Sequence, residues 1–224
     1  MPVFKLTEEI VFPDPELADE SGLLAVGGDL THERLILAYA NGIFPWYSKG
    51  EPILWWSPNP RMILLPQNIK ISKSLDQTIR LNKYTTTFDN AFEEVIKSCK
   101  TAPRPGQTGT WITAEMQEAY IALHKLGFAH SVETWQNEEL VGGLYGVSLG
   151  KAFFGESMFF KSRDASKVAL VNLASFLQKH NFKFIDSQVE TDHLKSMGAI
   201  SISRPEFLEL LKEAILLPTK RGKW

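Results

Sequence analysis

Cysteine is almost absent from this sequence of 224 residues, in which Cys99 is the only one. A lone thiol excludes an intramolecular disulfide and any metal site that needs a pair of thiolates. The five histidines show no spacing typical of metal ligands, and no glycine-rich phosphate loop of the P-loop kind is present. These absences argue against metal, thiol and P-loop chemistry, and we expect the protein to work without a metal or cofactor.

Long apolar runs are also missing, so the sequence predicts no membrane-spanning segment. The first fifteen residues carry Glu8, Glu9 and Asp14 and lack the basic-then-apolar layout of a signal peptide. Together with the single cysteine, this pattern predicts a cytoplasmic protein. The net charge of -2 argues against a protein that coats nucleic acid by bulk electrostatics, although a local basic face stays open.

Tryptophan, by contrast, is plentiful. The chain has six tryptophans, with Trp55 and Trp56 adjacent and Trp46 shortly before them. Indoles are good platforms for stacking bases and good pocket walls, but each one taken singly is more often a core anchor. If residues 53–56 form a strand, Trp55 and Trp56 point to opposite sides, so at most one of them faces a given pocket.

Turn residues divide the chain. Residues 1–60 are rich in proline and glycine and have room for one helix, capped by Thr31 and stopped at Gly42, and for a short strand at 53–56. The two prolines of the Ser57 to Pro60 segment cannot continue a helix or a central strand. We therefore predict a small N-terminal α/β domain over residues 1–60 and a second domain over 61–224.

The second segment alternates between strand and helix patterns. It shows strands at 62–65, 129–135, 140–147, 151–160 and 183–189, and helices at 92–100, from Thr113, at 165–180 and from Ser203. A three-strand meander followed by a crossover helix and a parallel strand predicts a mixed α/β sheet of the acetyltransferase-like type. This is an analogy at the level of the fold and licenses no function by itself.

Three polar side chains stand out in this sheet. Glu156 interrupts an apolar run, and it either faces solvent on the strand pleat or lies in a pocket. Asp186 and Gln188 are two residues apart, which in a regular strand places them on one face, although carboxylates at strand ends often only form turns. Coenzyme A is not an expected donor, because residues 161–167, where hairpin and crossover helix meet, contain no glycine to cradle its pyrophosphate.

Taken together, the motifs resemble the leucyl/phenylalanyl-tRNA–protein transferase family. The resemblance covers both predicted domains and is carried, in order, by LLAVGGDL (23–30), GIFPW (42–46), PILWWSP (52–58), GTWIT (109–113), LVGGLYG (140–146), GESMF (155–159), ASK (165–167) and DSQV (186–189). It implies transfer of leucine, phenylalanine and, less well, methionine from aminoacyl-tRNA to acceptor proteins beginning with Arg or Lys. The product is a degradation signal of the bacterial N-end rule, and we expect the enzyme to act as a monomer.

The resemblance also implies site residues. Trp46 and Trp111 hold the 3′-terminal adenosine, and Glu156, Asp186 and Gln188 form the polar catalytic set. The aminoacyl side chain enters an apolar pocket made by Leu144, Phe153, Met158, Leu170, Leu173 and Leu177. Leu144 and Leu173 stand where relatives have Met and Phe, and Ser187 replaces a cysteine. The expected tRNA phosphate contacts are Lys70, Lys73, Arg80 and Lys83, although Asp76 and Gln77 interrupt this basic segment.

Roles within the polar set follow from the side-chain chemistry. Asp186 is the expected general base, because the Gln188 amide cannot usefully accept a proton and instead orients the amine or the ester carbonyl. Glu156 either pairs with the cationic side chain of the acceptor or binds the ribose. Two rivals remain: a module that docks tRNA without catalysis, and a coenzyme A-dependent N-acetyltransferase.

Overall fold

Two β-sheets organise the protein, and the computed structural model describes residues 3–103 and 110–224. The smaller sheet has the order β1-β2-β4-β3, with β1 and β2 parallel and the other neighbours antiparallel. Its strands are β1 (Phe4–Leu6), β2 (Leu23–Gly27), β3 (Phe44–Pro45) and β4 (Leu54–Trp56). Helix α1 (His32–Ala40) lies between β2 and β3 in the chain.

The stop of α1 is confirmed at Gly42, whose φ of +71° is the left-handed conformation that glycine adopts without steric cost. A Cβ atom there would lie 2.8 Å from the Phe207 ring, so the position also lacks room for a side chain. Gly42 therefore brings the end of α1 against the C-terminal helix described below.

The larger sheet has seven strands in the order β11-β5-β10-β9-β8-β7-β6. All neighbours are antiparallel except β9 and β10, which are parallel. The strands are β5 (Arg61–Leu64), β6 (Thr85–Phe88), β7 (Ala129–Gln136), β8 (Glu139–Leu149), β9 (Ala152–Phe160), β10 (Phe184–Gln188) and β11 (Ile200–Ile202).

Six further α-helices lie in the described part of the chain: α2 (Lys73–Arg80), α3 (Phe92–Thr101), α4 (Ala114–Lys125), α5 (Ala165–Lys179), α6 (Asp192–Ser196) and α7 (Arg204–Ile215). Two predicted N-terminal caps are confirmed. The Thr113 hydroxyl accepts the backbone N–H of Met116 at the start of α4, and Ser203 and Glu206 form a reciprocal capping box at α7. No helix within the described ranges is long and apolar enough to cross a membrane.

The predicted mixed α/β, acetyltransferase-like arrangement is confirmed. The β8–β9 hairpin leads into α5, which crosses over to β10, and β10 runs parallel to β9. Pairing between β9 and β10 covers only Ala152–Phe154 against Phe184–Asp186. Residues 155–160 of β9 extend beyond the last residue that pairs with β10, and Glu156 lies in this part of the strand.

The two sheets share one buried cluster. It includes Leu24 and Trp55 from the smaller sheet, Phe154 and Phe184 from the larger sheet, and Phe207 from α7. A second cluster lies where α5 packs on the sheet. The domain boundary at residue 60 stays a prediction.

Candidate active site

A cavity of about 190 Å³ brings together residues from four distant parts of the sequence. It is lined by Phe44, Pro45, Trp46, Trp111, Glu156, Gln188 and Val189. The two tryptophans expected at an adenosine and two of the three expected polar residues therefore face the same space. Gly109, the first residue of the Trp111 motif, lies outside the described residues.

Glu156 is held by two buried tyrosines. The Tyr39 hydroxyl of α1 donates to Oε1 at 2.7 Å, and the Tyr120 hydroxyl of α4 donates to Oε2 at 2.9 Å. The two hydroxyls also hydrogen bond to each other. Burial raises the pKa of Glu156 to about 7, although both tyrosine hydrogen bonds act to lower it. A carboxyl that is half ionised near neutral pH can give or take a proton at cellular pH.

A β-bulge in β9 sets the direction of the Glu156 side chain. The β8–β9 register pairs Tyr145 with Ser157 and Gly146 with Gly155, so Glu156 is the extra residue of a β-bulge. Bulges redirect side chains and are common beside active sites. The bulge brings the Glu156 carboxyl to the tyrosines and the cavity wall. In a regular strand, by contrast, the side chain would point to one of the two faces of the sheet.

Asp186 is fully buried and paired with Arg61. Arg61 Nε donates to Oδ1 at 2.9 Å and Nη2 donates to Oδ2 at 2.7 Å, while the backbone N–H of Gln188 also donates to Oδ1. Arg61 Nη1 donates to the Gly42 carbonyl at 3.1 Å. Both oxygens of the Asp186 carboxylate are held by the guanidinium, and Asp186 does not line the cavity, so this geometry does not support the role of general base for Asp186.

Gln188 reaches the cavity through a second irregularity. The β10–β5 register shifts between Asp186 and Gln188, and Gln188 has a φ of +60°. The regular alternation assumed in the sequence analysis is absent here, so the two side chains are placed by the bulge and not by the strand period. Ser187 bonds the Met62 carbonyl through its hydroxyl, which is a structural contact.

The six residues of the expected aminoacyl pocket do come together. Leu144, Phe153, Leu170, Leu173 and Leu177 are each 3% exposed or less, and the half-buried Met158 packs on the same cluster. Leu144 pairs with Met158 across β8 and β9, and the last three leucines of the set lie on α5. None of the six lines the cavity that contains Glu156; they form a closed apolar cluster beside the same strands.

The expected phosphate contacts lie on or near α2. Lys70, Lys73, Arg80 and Lys83 are all exposed, and Arg80 pairs with Asp76 at 2.9 Å. Lys83 lies 4.9 Å from the centre of the Tyr84 ring. All four side chains are therefore available at the surface, although Asp76 partly neutralises Arg80.

Sequence reasoning missed Tyr39, Tyr120 and Arg61. Tyr39 and Tyr120 lie among the apolar buried residues of their helices, and Arg61 is the first residue of the predicted second domain. The sequence did contain a signal for these residues, namely a polar group at a position expected to be buried. A buried tyrosine hydroxyl or arginine needs a polar partner. The partners lie 117, 36 and 125 residues away in the chain, so the sequence could not identify them.

The fold and the site together define an α/β enzyme of the acyltransferase-like class. Comparison with known proteins gives the family. Its model, "Leucyl/phenylalanyl-tRNA protein transferase", matches residues 63–212, and the model of that family's N-terminal domain matches residues 28–59. The chain belongs to the leucyl/phenylalanyl-tRNA–protein transferase family and is an enzyme that transfers an aminoacyl group from tRNA to a protein.

Similar proteins span the whole chain. The leucyl/phenylalanyl-tRNA–protein transferases of Desulfatibacillum aliphaticivorans and Myxococcus xanthus are 56% and 57% identical to it. Each alignment covers 100% of this chain, and 96% and 97% of the respective relative. Among solved structures, a GCN5-related N-acetyltransferase from Kribbella flavida aligns with a TM-score of 0.35 at 9% identity, over 75% of this chain and 59% of that one.

Proposed function

We propose that the enzyme moves leucine, phenylalanine and, less well, methionine from tRNA to acceptor proteins beginning with Arg or Lys, acting as a monomer and marking the products for degradation. The observation that carries the proposed chemistry is the Glu156 carboxyl, which has a pKa of about 7 and shares a cavity with Gln188 and two indoles. The nature of the acceptor and the fate of the product rest on the family resemblance.

Trp46 and Trp111 hold the terminal adenosine in this proposal. Trp46 is 41% exposed, which is unusual for an indole and is typical of a platform that a ligand covers. Both rings border the cavity that contains Glu156 and Gln188. An adenosine stacked at the indoles brings its ribose ester to the polar end of the cavity.

Glu156 then serves as the proton acceptor. The α-amino group of the acceptor has an ordinary pKa of about 7.7 to 8.0, so a carboxyl with a pKa near 7 is well matched to it. The amine nitrogen attacks the ester carbonyl, the new N–C bond forms, and Glu156 takes the amine proton. The ester C–O bond breaks, and the proton passes to the departing ribose oxygen.

Gln188 and Asp186 act differently from each other. The Gln188 amide lines the cavity and orients the amine or the carbonyl. Asp186 is a positioning residue, because it touches Arg61 and the backbone of Gln188 and does not line the cavity. The expected catalytic set is retained in this form, with the role of base moved from Asp186 to Glu156.

Donor choice rests on two further features. The apolar cluster of Leu144, Phe153, Met158, Leu170, Leu173 and Leu177 is closed in this structure and offers no partner to a polar side chain, and we propose that it opens to receive the aminoacyl group. Asp164 lies at the start of α5 and pairs with Lys167 at 3.1 Å. Its carboxylate repels a pyrophosphate at that helix terminus, which disfavours a coenzyme A donor. Lys70, Lys73, Arg80 and Lys83 would contact the phosphates of the tRNA body.

Transfer assays with separately charged tRNAs test this function. We expect Leu-tRNA and Phe-tRNA to donate to a peptide beginning with Arg, Met-tRNA to donate less well, and Asp-tRNA to be about ten- to a hundredfold poorer. The reason is that a buried unpaired polar group costs about 1 to 3 kcal/mol. Matched acceptors beginning with Arg, Lys and Ala measure the acceptor preference. Equal transfer of aspartate, or acetylation of the peptide by acetyl-CoA, would contradict the proposal.

Removing a tyrosine hydroxyl should change the pH dependence. Tyr120→Phe deletes a hydrogen bond that stabilises ionised Glu156, so the pKa of Glu156 rises further above its ordinary range. Since only the ionised carboxyl accepts a proton, the acidic limb of the turnover profile should move to higher pH by about one unit.

The matched control is Tyr84→Phe, which deletes a hydroxyl that bonds Ser162 and the Arg163 carbonyl away from the cavity. Its profile should coincide with that of the unmodified enzyme when phenylalanyl-adenosine is the donor. An acidic limb that stays in place or moves to lower pH in Tyr120→Phe would show that Glu156 does not control the profile.

A further inference from the structure

A groove of about 1260 Å³ adjoins the active-site cavity at the two indoles, which line both spaces. Among the described residues, only Trp46 and Trp111 line both the cavity and the groove. Other lining residues of the groove include Trp56, Lys49, Lys100 and Glu115. The groove therefore begins where the proposed adenosine ends and carries its own set of aromatic and charged groups.

The groups in the groove match single-stranded nucleic acid. Trp56 is a third indole, with its ring centroid 5.8 Å from that of Trp46. Its Nε1–H donates to the Trp46 carbonyl at 2.7 Å, which ties the two platforms together. The Lys49 and Lys100 side chains add positive charge to the same walls. Aromatic platforms interleaved with cations are the usual means by which proteins bind unpaired nucleotides.

Two carboxylates also line the groove. Glu51 accepts the backbone N–H of Ser48 at 2.8 Å, so it is bound to its own loop. Glu115 accepts a hydrogen bond from the Tyr47 hydroxyl and stays exposed. A carboxylate accepts readily from the exocyclic amine of cytosine. An exposed carboxylate beside an indole and two lysines therefore fits cytidine, and every tRNA ends in two cytidines followed by adenosine.

The position of the groove decides between RNA and the acceptor protein. The acceptor amine must reach the ester at Glu156 and Gln188, and both of these residues line the cavity and not the groove. The RNA strand must instead continue away from the adenosine. We propose that the groove binds the two cytidines that precede the terminal adenosine, with Trp56 as a stacking platform, Lys49 and Lys100 at the phosphates and Glu115 at a cytosine amine. This proposal rests on the proposed placement of adenosine.

Short donors test the groove without the tRNA body. We compare kcat/KM for the phenylalanyl ester of the trinucleotide CpCpA with that for phenylalanyl-adenosine. One stacked base is expected to be worth about a tenfold gain, so the ratio of the two values should be about ten or more. Replacing both cytidines with uridines should reduce this ratio, and Glu115→Gln should remove the difference between cytidine and uridine.

Charge reversal provides matched variants. Lys100→Glu and Lys49→Glu should each lower the ratio, because each replaces an attractive charge at a phosphate with a repulsive one. Lys97→Glu is the control, because Lys97 is exposed on the same helix α3 and does not line the groove. It should keep the ratio of the unmodified enzyme. The melting temperatures of all variants show whether a lower ratio comes from loss of the fold or from loss of binding in the groove.

The outcomes are distinct. A ratio near one in the unmodified enzyme, or a large ratio that survives both Lys49→Glu and Lys100→Glu, overturns the proposal. A rise in the KM of the acceptor peptide in these variants, with an unchanged donor ratio, assigns the groove to the acceptor and also overturns it. If neither Phe-tRNA nor phenylalanyl-adenosine donates at all, the proposed function has failed before the groove is tested.

Discussion

Glu156→Gln should lower turnover by about 10²- to 10⁴-fold at pH 7.5, which is the usual contribution of a general base. The glutamine keeps the shape of the side chain and can still accept a hydrogen bond from Tyr39 or Tyr120, but it cannot take a proton at any useful pH. The KM for aminoacyl-tRNA should change little, because the change leaves both indoles in place.

The pH profile gives a second readout of the same variant. In the unmodified enzyme, the ionised fraction of Glu156 grows as pH rises through about 7, so turnover should rise with it. In Glu156→Gln only the neutral fraction of the acceptor amine still grows with pH, and the remaining rise should be centred near pH 8.

The control for this change is Glu139→Gln, which alters an exposed carboxylate at the start of β8. It should leave turnover unchanged within twofold. Near-normal turnover of Glu156→Gln at neutral pH would show that proximity alone drives the reaction.

Arg61→Met should lower the free energy of unfolding by about 3 to 5 kcal/mol, because it leaves the fully buried Asp186 carboxylate without its cation. The lost guanidinium also lies 4.5 Å from the Phe207 ring centre and 4.9 Å from that of Phe44. The double variant Arg61→Met/Asp186→Leu should recover much of the loss, since no charge is then left unpaired. The free energy of unfolding of the unmodified protein, of Arg61→Met and of the double variant is measured by urea denaturation.

An exposed ion pair serves as the control. Arg80 and Asp76 approach to 2.9 Å, but their side chains are 78% and 45% exposed. Arg80→Met should therefore cost at most about 0.5 kcal/mol. A loss in Arg61→Met that is as small as the loss in Arg80→Met would show that Asp186 is neutral or hydrated, and the positioning role proposed for it would have to be abandoned.

The sequence predicted much of the fold because the strong signals were local. The meander, the crossover helix and the caps at Thr113 and Ser203 depend on residues a few positions apart. The missed elements, β1, β2, β3, β6, β11, α2 and α6, are short, at most eight residues each. Short elements of this kind are stabilised mainly by neighbours that are distant in the sequence.

The candidate site was predicted in composition but not in geometry. Trp46, Trp111, Glu156 and Gln188 do meet in one cavity. The geometry differs from the regular strands that the sequence predicted, because two β-bulges, at Glu156 and before Gln188, break the period of two. A bulge depends on the register between strands, and register is set by pairing that a single strand does not encode.

The position of Arg61 in the chain bears on how the protein is made. Synthesis starts at the N-terminus, so Arg61 leaves the ribosome well before Asp186 has been added. Until then its guanidinium has no carboxylate to neutralise it, and burial between the rings of Phe44 and Phe207 is unfavourable. Arg61 and Asp186 can therefore pair only after β10 has been made. A nascent chain that stalls before β10 contains both indoles but lacks Gln188 and Val189, so the cavity that these residues line is incomplete.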